Sequence, residues 1–369
     1  MRGRKELRTE RAVLRTAAAV WLSDAAPVWA FGPIPAGALS WPEELEPAPL
    51  PLQEPSPEPR WSFIDRIHLP WLQKLFLQTA RNKVPILKGQ TLIAATDTSG
   101  TQRGSKYTVV GVLIMDMDSS AAWNVQRLRI RSQLLADGRR MSYKDLNDGQ
   151  RRAALVPFLE AADHMQGLCV LMAFDKRLGG LCTSGALYER AKNEGIIQGT
   201  WKLGMFEQMM RTVQLVSTLL ASVAVEDQNI YWISDMDESF ANEKMKIDTA
   251  RMIGAFTSEY IKHKLGELGV GTTEIDEGDR LEEDLTAIPD LAAGAICDLL
   301  NRMHQHLGTF PLIPTLVPNL KGKTDLISSW FFGGSGSLTK LAWVARAVPG
   351  RGMQVGQFRT EPEGQIVVE

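Results

Sequence analysis

The sequence predicts a mixed α/β sheet with helices on both faces, and three observations carry that prediction. Two apolar runs, 91–97 and 107–116, follow one another closely, as two β-strands joined through a turn do. Further strand-like apolar runs at 167–174 and 229–235 are separated by longer stretches of helical periodicity. Strands that first pair and then alternate with helices belong to a mixed sheet covered on both sides.

Taken in order, the elements begin late. Arg2, Arg4, Lys5, Arg8, Arg11 and Arg15 precede a short apolar stretch that Arg15 and Asp24 bound, so no secretory core forms. A basic amphipathic helix is expected there, able to dock a protein partner. Residues 33–60, rich in proline and acid, read as a linker or extended arm, and the folded domain is expected from Trp61. Strand 91–97 ends in Asp97, and Thr98-Ser99-Gly100 supplies a tight turn into the second strand. A helix at 120–135 follows, then a second from 147 to 163 whose Asn147-Asp148 entrance has capping residues. After the strand at 167–174, apolar residues at helical spacing (Leu203, Phe206, Met210, Val213, Leu220) predict one long helix over 186–224 with a face able to form a homodimer. Strand 229–235, helix 240–266, a short strand at 269–275 and helix 287–306 complete the readable part. The remaining segment, 311–369, reads as an extension with β-like pieces, so the organisation is an arm (1–60), a domain (61–310) and that extension.

Composition excludes several classes. At 44% hydrophobic and 23% charged residues the chain is an ordinary globular protein, and no apolar run approaches the roughly 20 residues that span a bilayer. Three widely spaced cysteines without a CxxC pair point to free thiols in a reducing cytoplasm rather than to zinc or disulfides. A formal net charge of −2 gives no global attraction for a polyanion, so any nucleic-acid surface must be local.

The chemistry lies in acids at element ends. Asp97 closes the first strand, Asp235 closes Asn229-Ile-Tyr-Trp-Ile-Ser, and Asp290 stands in the first turn of the helix predicted from 287. If the first and fourth strands run parallel as neighbours, Asp97 and Asp235 lie about one strand spacing, roughly 5 Å, apart. Carboxylates that close repel, and Mg²⁺ or Mn²⁺ ions offset the repulsion. Asp237 shares the Asp235 loop and competes with it. Asp276 is a candidate fourth ligand from the acid-rich stretch 274–284, most of which reads as a solvated loop. Each acid also has a plainer reading: Asp97 as an Asx turn, Asp235 as part of an exposed loop, Asp290 as a partner of the helix dipole.

Opposite in sign is the segment 127–152, with eight arginines and lysines against three aspartates. Arg139, Arg140, Lys144, Arg151 and Arg152 are its candidate contacts to a DNA or RNA backbone. A separate pattern, Leu113-Ile-Met-Asp116-Met-Asp118, echoes the Asp-x-Asp signature of haloacid-dehalogenase-like phosphatases, with Asp116 as the candidate nucleophile.

Three of these motifs in this order resemble the domain of unknown function 3800 family, a branch of the ribonuclease H-like superfamily. Its strand ending Asp-Glu-Ser-Gly is matched by Asp97-Thr98-Ser99-Gly100, its second strand by Ile230 to Asp235, and its closing Ala-Asp-Leu-Val-Ala-Gly by Pro289-Asp290-Leu-Ala-Ala-Gly294. The resemblance covers about 88–305. It implies a ribonuclease H-like sheet and a two-metal nuclease in which Asp97, Asp235 and Asp290 are catalytic metal ligands. Thr98 departs from the pattern by replacing an acid. That departure and the proline-rich arm favour the alternative of a non-catalytic scaffold or nucleic-acid-binding subunit in a larger defence or mobile-element complex.

Overall fold

β1 (Thr91–Ser99), β2 (Tyr107–Asp116) and β3 (Gly167–Asp175) pair antiparallel in sequence order, so the first three strands form a meander. β4 (Asn229–Ser234) joins the free edge of β1 in parallel, and β5 (Leu268–Thr272) continues beyond β4, again parallel. On the far side β6 (Leu338–Val348) runs parallel to β3, and β7 (Gly352–Phe358) closes that edge antiparallel. The sheet order is therefore β5-β4-β1-β2-β3-β6-β7. The computed structural model describes residues 72, 75, 76, 87–180, 185–235, 240, 242–261, 263–276, 278–307, 322–333, 336–348 and 352–358. The expected arm, with Asp237 and Cys182, lies outside these residues.

Alternation along the strands divides the core in two. Leu92 and Ala94 of β1, Val112 and Ile114 of β2, and Trp232 of β4 face one layer, with α4 (Leu203–Val223) and α5 (Glu243–Tyr260). Ile93 and Ala95 of β1, Val109 and Leu113 of β2, and Ile233 of β4 face the other. There α6 (Leu281–Leu307) lies across β1 and β2 and is flanked by α1 (Ala121–Leu134), α2 (Gly149–Ala162) and α7 (Lys323–Gly333). Burial on both faces explains why the strands read as continuous apolar runs. The mixed sheet with helices on both faces is the architecture the sequence predicts.

Several local expectations are overturned. The long helix over 186–224 is two helices, α3 (Ala186–Asn193) and α4. The chain turns at Gly195 (φ 72°), and the buried Asp248 of α5 accepts bonds from the backbone N–H groups of Gln198 and Gly199, both at 2.8 Å, and from the Trp201 indole at 3.0 Å. That carboxylate fixes an irregular segment that periodicity alone reads as helix. Phe206, Met210, Val213 and Leu220 are buried inside the chain, and of the predicted stripe Leu203 alone is exposed.

The last predicted helix begins at Leu281 rather than 287, which puts Asp290 well inside it. The acids from 274 to 284 are only in part a solvated loop: Glu274 lies in a 3₁₀ turn (Thr273–Ile275), Glu282, Glu283 and Asp284 form the first turn of α6, where the helix dipole favours them, and Asp284 is fully buried. The predicted strand 269–275 correspondingly stops at Thr272. The phosphatase reading fails as well. Asp116 accepts from the N–H groups of Gly89 (2.7 Å) and Ser119 (3.0 Å), Asp118 accepts from Gln90 (2.6 Å), and Asp116 pairs in register with Leu92. Both carboxylates thus tie down the entrance to β1, at the opposite end of the strand from Asp97. Cys169 and Cys297 are buried free thiols, as expected.

A candidate carboxylate site at the end of β1

Register brings the first two acids together. Ile233 lies beside Ala95 and Ser234 beside Thr96, so Asp235, the next residue after β4, falls alongside Asp97. Both continue the alternation of Ala95 and Ile233, toward the face that α6 covers.

A glycine brings in the third. Asp97 pairs across β1 and β2 with Gly111, and a Cβ at Gly111 would sit 2.8 Å from the Pro289 carbonyl oxygen. Only the missing side chain lets α6 approach this closely. The contact fixes Pro289 on the sheet over Gly111, the partner of Asp97, and Asp290 is the next residue of α6.

One arginine stands among these carboxylates. Arg140 donates through Nη1 to Asp235 Oδ1 at 2.7 Å and through Nη2 to Asp235 Oδ2, a two-pronged pair. Asp290 and Asp97 are close enough for their charges to act on the same guanidinium. The hydrogen bonds to Asp235, followed by the attraction of all three acids, hold Arg140 charged above its ordinary range against the opposing effect of burial. The surrounding protein raises the Asp290 carboxyl, and the nearby Asp235 raises it further. The Tyr143 N–H, the Ser142 hydroxyl and Arg140 act in the opposite direction. The Thr273 hydroxyl donates to Asp235 Oδ1 at 3.1 Å.

The segment that carries Arg140 is held from below. The Tyr143 backbone N–H donates to Asp290 Oδ2 at 2.9 Å, and its ring lies where a Cβ at Gly294 would come within 2.3 Å of it. Lys323 Nζ sits 4.2 Å above the same ring and donates to the Tyr143 carbonyl at 2.6 Å. Arg151 Nε donates to the Arg140 carbonyl at 2.7 Å. Sequence reasoning missed Ser142, Tyr143 and Thr273. Their only signal was proximity in the chain to charged residues, which does not specify a partner.

The remaining predicted residues separate. Asp276 lies with Asp279 and Glu282, and these are the one trio of potential ligands among the described residues whose oxygens lie within 4.8 Å of one another. Asp276 is engaged as a turn cap, accepting from the N–H groups of Arg280 (2.9 Å) and Gly278 (3.1 Å). The basic segment is largely consumed internally. Arg139 bonds Asp137 and Asp148, Arg140 bonds Asp235, Arg151 holds the Arg140 carbonyl, and Arg127 and Arg131 hold Asp284. Arg129, Lys144 and Arg152 remain exposed. The local excess of positive charge therefore corresponds to a much smaller outward-facing patch than its count implies.

No protein-family model and no curated protein matches the chain. Among solved structures it is similar to the ribonuclease H2 from Pyrococcus horikoshii OT3, at 16% identity and a TM-score of 0.29, over 65% of this chain and 99% of that one. It is also similar to Bst-RNase HIII in complex with Mn²⁺, at 12% identity and a TM-score of 0.28, over 68% of this chain and 67% of that one. What decides the architecture is the sheet itself: a β1-β2-β3 meander, with β4 and β5 added in parallel beyond β1, between two helical layers. The fold is a mixed α/β sheet with helices on both faces. In this mixed sheet the candidate acids gather at the carboxyl ends of the central parallel strands, the usual place for a ligand in an open α/β sheet. No helix among the described residues is long and apolar enough to cross a membrane.

The three carboxylates offer hard oxygen donors of the kind Mg²⁺ and Mn²⁺ take. Their chemistry fits such an ion. Their present arrangement has Arg140 supplying the positive charge at Asp235.

Proposed function

We propose that the chain is a divalent-metal-dependent phosphodiesterase acting on nucleic acid, with Asp97, Asp235 and Asp290 as the metal ligands. The observation that carries this reading is the convergence of acids from β1, β4 and α6 on one guanidinium at the end of the central strands. Three carboxylates so placed require more positive charge than one arginine supplies. When bound, a pair of Mg²⁺ or Mn²⁺ ions supplies water activation and stabilisation of the leaving oxygen.

The chain's own residues have distinct parts in this scheme. Asp97, on the rigid β1, and Asp290, fixed by the Tyr143 N–H, hold their oxygens in place. Asp235, at the strand terminus, is bonded by Arg140 and Thr273. Exposed Lys144 and Arg152 contact the phosphate backbone, a role in which each adds salt dependence to binding. Asp237, two residues after Asp235 in the chain and outside the described residues, is a further candidate ligand. The family resemblance supports the same reading through its three motifs.

A second reading is favoured by a specific observation. Thr98 stands where the resembling family has an acid, and Arg140 already neutralises Asp235, as a non-catalytic scaffold or nucleic-acid-binding subunit would allow. The test is cleavage of single- and double-stranded DNA and RNA with Mg²⁺, Mn²⁺ or EDTA, comparing wild type with Asp97→Asn. Metal-dependent cleavage should drop by at least about a hundredfold in the variant, the scale on which single electrostatic groups act in catalysis. Full activity in Asp97→Asn removes the assignment. Absence of cleavage together with absence of Mn²⁺ binding favours the scaffold.

A further inference from the structure

Asp235 has both oxygens engaged by Arg140, and Oδ1 also accepts from Thr273. A divalent ion at that carboxylate must displace something. The backbone at Arg140 is not free to retreat, because its carbonyl is held by Arg151 and the nearby Tyr143 N–H is bonded to Asp290. The side chain has more freedom, since 29% of the Arg140 side chain and 24% of the Asp235 side chain face solvent. A long guanidinium at a rim can rotate outward and rehydrate, whereas a buried one cannot. The carboxylates of Asp97, Asp235 and Asp290 also do not form a trio with oxygens drawn as close together as those of Asp276, Asp279 and Glu282. An arginine among them is a physical reason for that spread.

We infer that Arg140 is a resident counter-ion that occupies the Asp235 ligand position, so that divalent-metal binding at this site is a displacement of the Arg140 side chain. This rests on the reading of the three acids as a metal site. Three carboxylates and one arginine leave two negative charges, so a first ion is attracted, but it gains Asp235 only when the guanidinium leaves. Metal affinity is thereby set by a residue that is not a ligand. Removing the charge while leaving the carboxylates untouched should strengthen binding, the opposite of what loss of a phosphate contact or a merely structural residue produces.

The test is calorimetric titration of the full chain with Mn²⁺ alone. Wild type is compared with Arg140→Gln, Arg140→Met, Arg140→Lys and the double variant Arg140→Gln/Asp97→Asn. The Gln variant should bind Mn²⁺ roughly tenfold more tightly, about 1.4 kcal/mol. The Met variant should agree with it and substitutes for it should the Gln variant not fold. Lys, which keeps the charge, should stay near wild type, and the double variant should lose the gain. Equal affinity in wild type and Arg140→Gln overturns the counter-ion assignment and leaves the metal reading standing. A gain that survives Asp97→Asn also overturns it, by locating the ion elsewhere, as at Asp276. No binding by any folded variant defeats the metal reading itself, and this inference with it.

Discussion

Two aspartates near α6, Asp284 and Asp235, are each paired with arginine, yet they occupy opposite situations. Asp284 is fully buried between Arg127 and Arg131, with Arg127 Nη1 at 3.2 Å and Arg131 Nε at 3.0 Å. Asp235 meets one arginine at the rim of the sheet, and about a quarter of each side chain is in contact with water. Burial pushes the Asp284 carboxyl up while its two guanidiniums pull it down. In the interior, removing either partner strands a charge in a poor solvent, so the pair is locked even where it adds little net stability. At the rim, water and ions can replace either partner, and the pair is exchangeable. The same chemistry therefore serves as a structural tie in one place and as a replaceable occupant in the other.

Asp284→Asn should break that contrast most forcefully. It leaves two guanidiniums without the buried carboxylate that both of them bond, and a loss of about 3–5 kcal/mol is expected, read as a lower urea midpoint. A loss below that of the rim pair would mean that Asp284 is not locked as described. Next in size is Gly294→Ala, where a methyl would come 2.3 Å from the Tyr143 ring. Overpacking of roughly 1–3 kcal/mol, relieved by up to about 1 kcal/mol of helix propensity, leaves a net loss of about 1–2 kcal/mol. The same denaturation experiment reads it, and an unchanged midpoint would show that the Arg140 segment is not seated through Tyr143. Asp235→Asn should have the smallest effect on stability, about 1 kcal/mol or less. Were it to cost as much as Asp284→Asn, the rim pair would be as fixed as the buried one and displacement of Arg140 by an ion would be untenable.

Much of the fold was legible because it follows from local patterns. The apolar runs of β1, β2, β3 and β4 are bounded by turn residues, and each appears within a residue or two of its expected limits. What failed were elements shaped by distant side chains. The break between α3 and α4 depends on Asp248, and the early start of α6 depends on acids that looked soluble until Arg127 and Arg131 were seen to bury one of them. β6 and β7 were read only as β-like pieces of an extension, because their place in the sheet is set by pairing with the distant β3.

The candidate site divides in the same way. Asp97 and Asp235 were visible as acids at the ends of apolar strands, and their proximity follows from one parallel pairing. Asp290 was visible only as part of a motif, since its position depends on α6 pressing against Gly111. Arg140 was visible as positive charge but was assigned to a phosphate, because charge in a sequence has sign and no address.

By itself the sequence determined the alternation of apolar strands and helices, hence the mixed sheet, and put an acid at the end of two of its strands. Hydrophobic periodicity suffices for this because it is repeated over many residues and each repeat adds to the same preference. Only the tertiary structure decided which charges meet: Asp284 with Arg127 and Arg131, Asp276 with Asp279 and Glu282, and Asp235 with Arg140. Such pairings rest on a few atoms brought together from far along the chain, and their strength depends on burial, which exists only once the layers have packed.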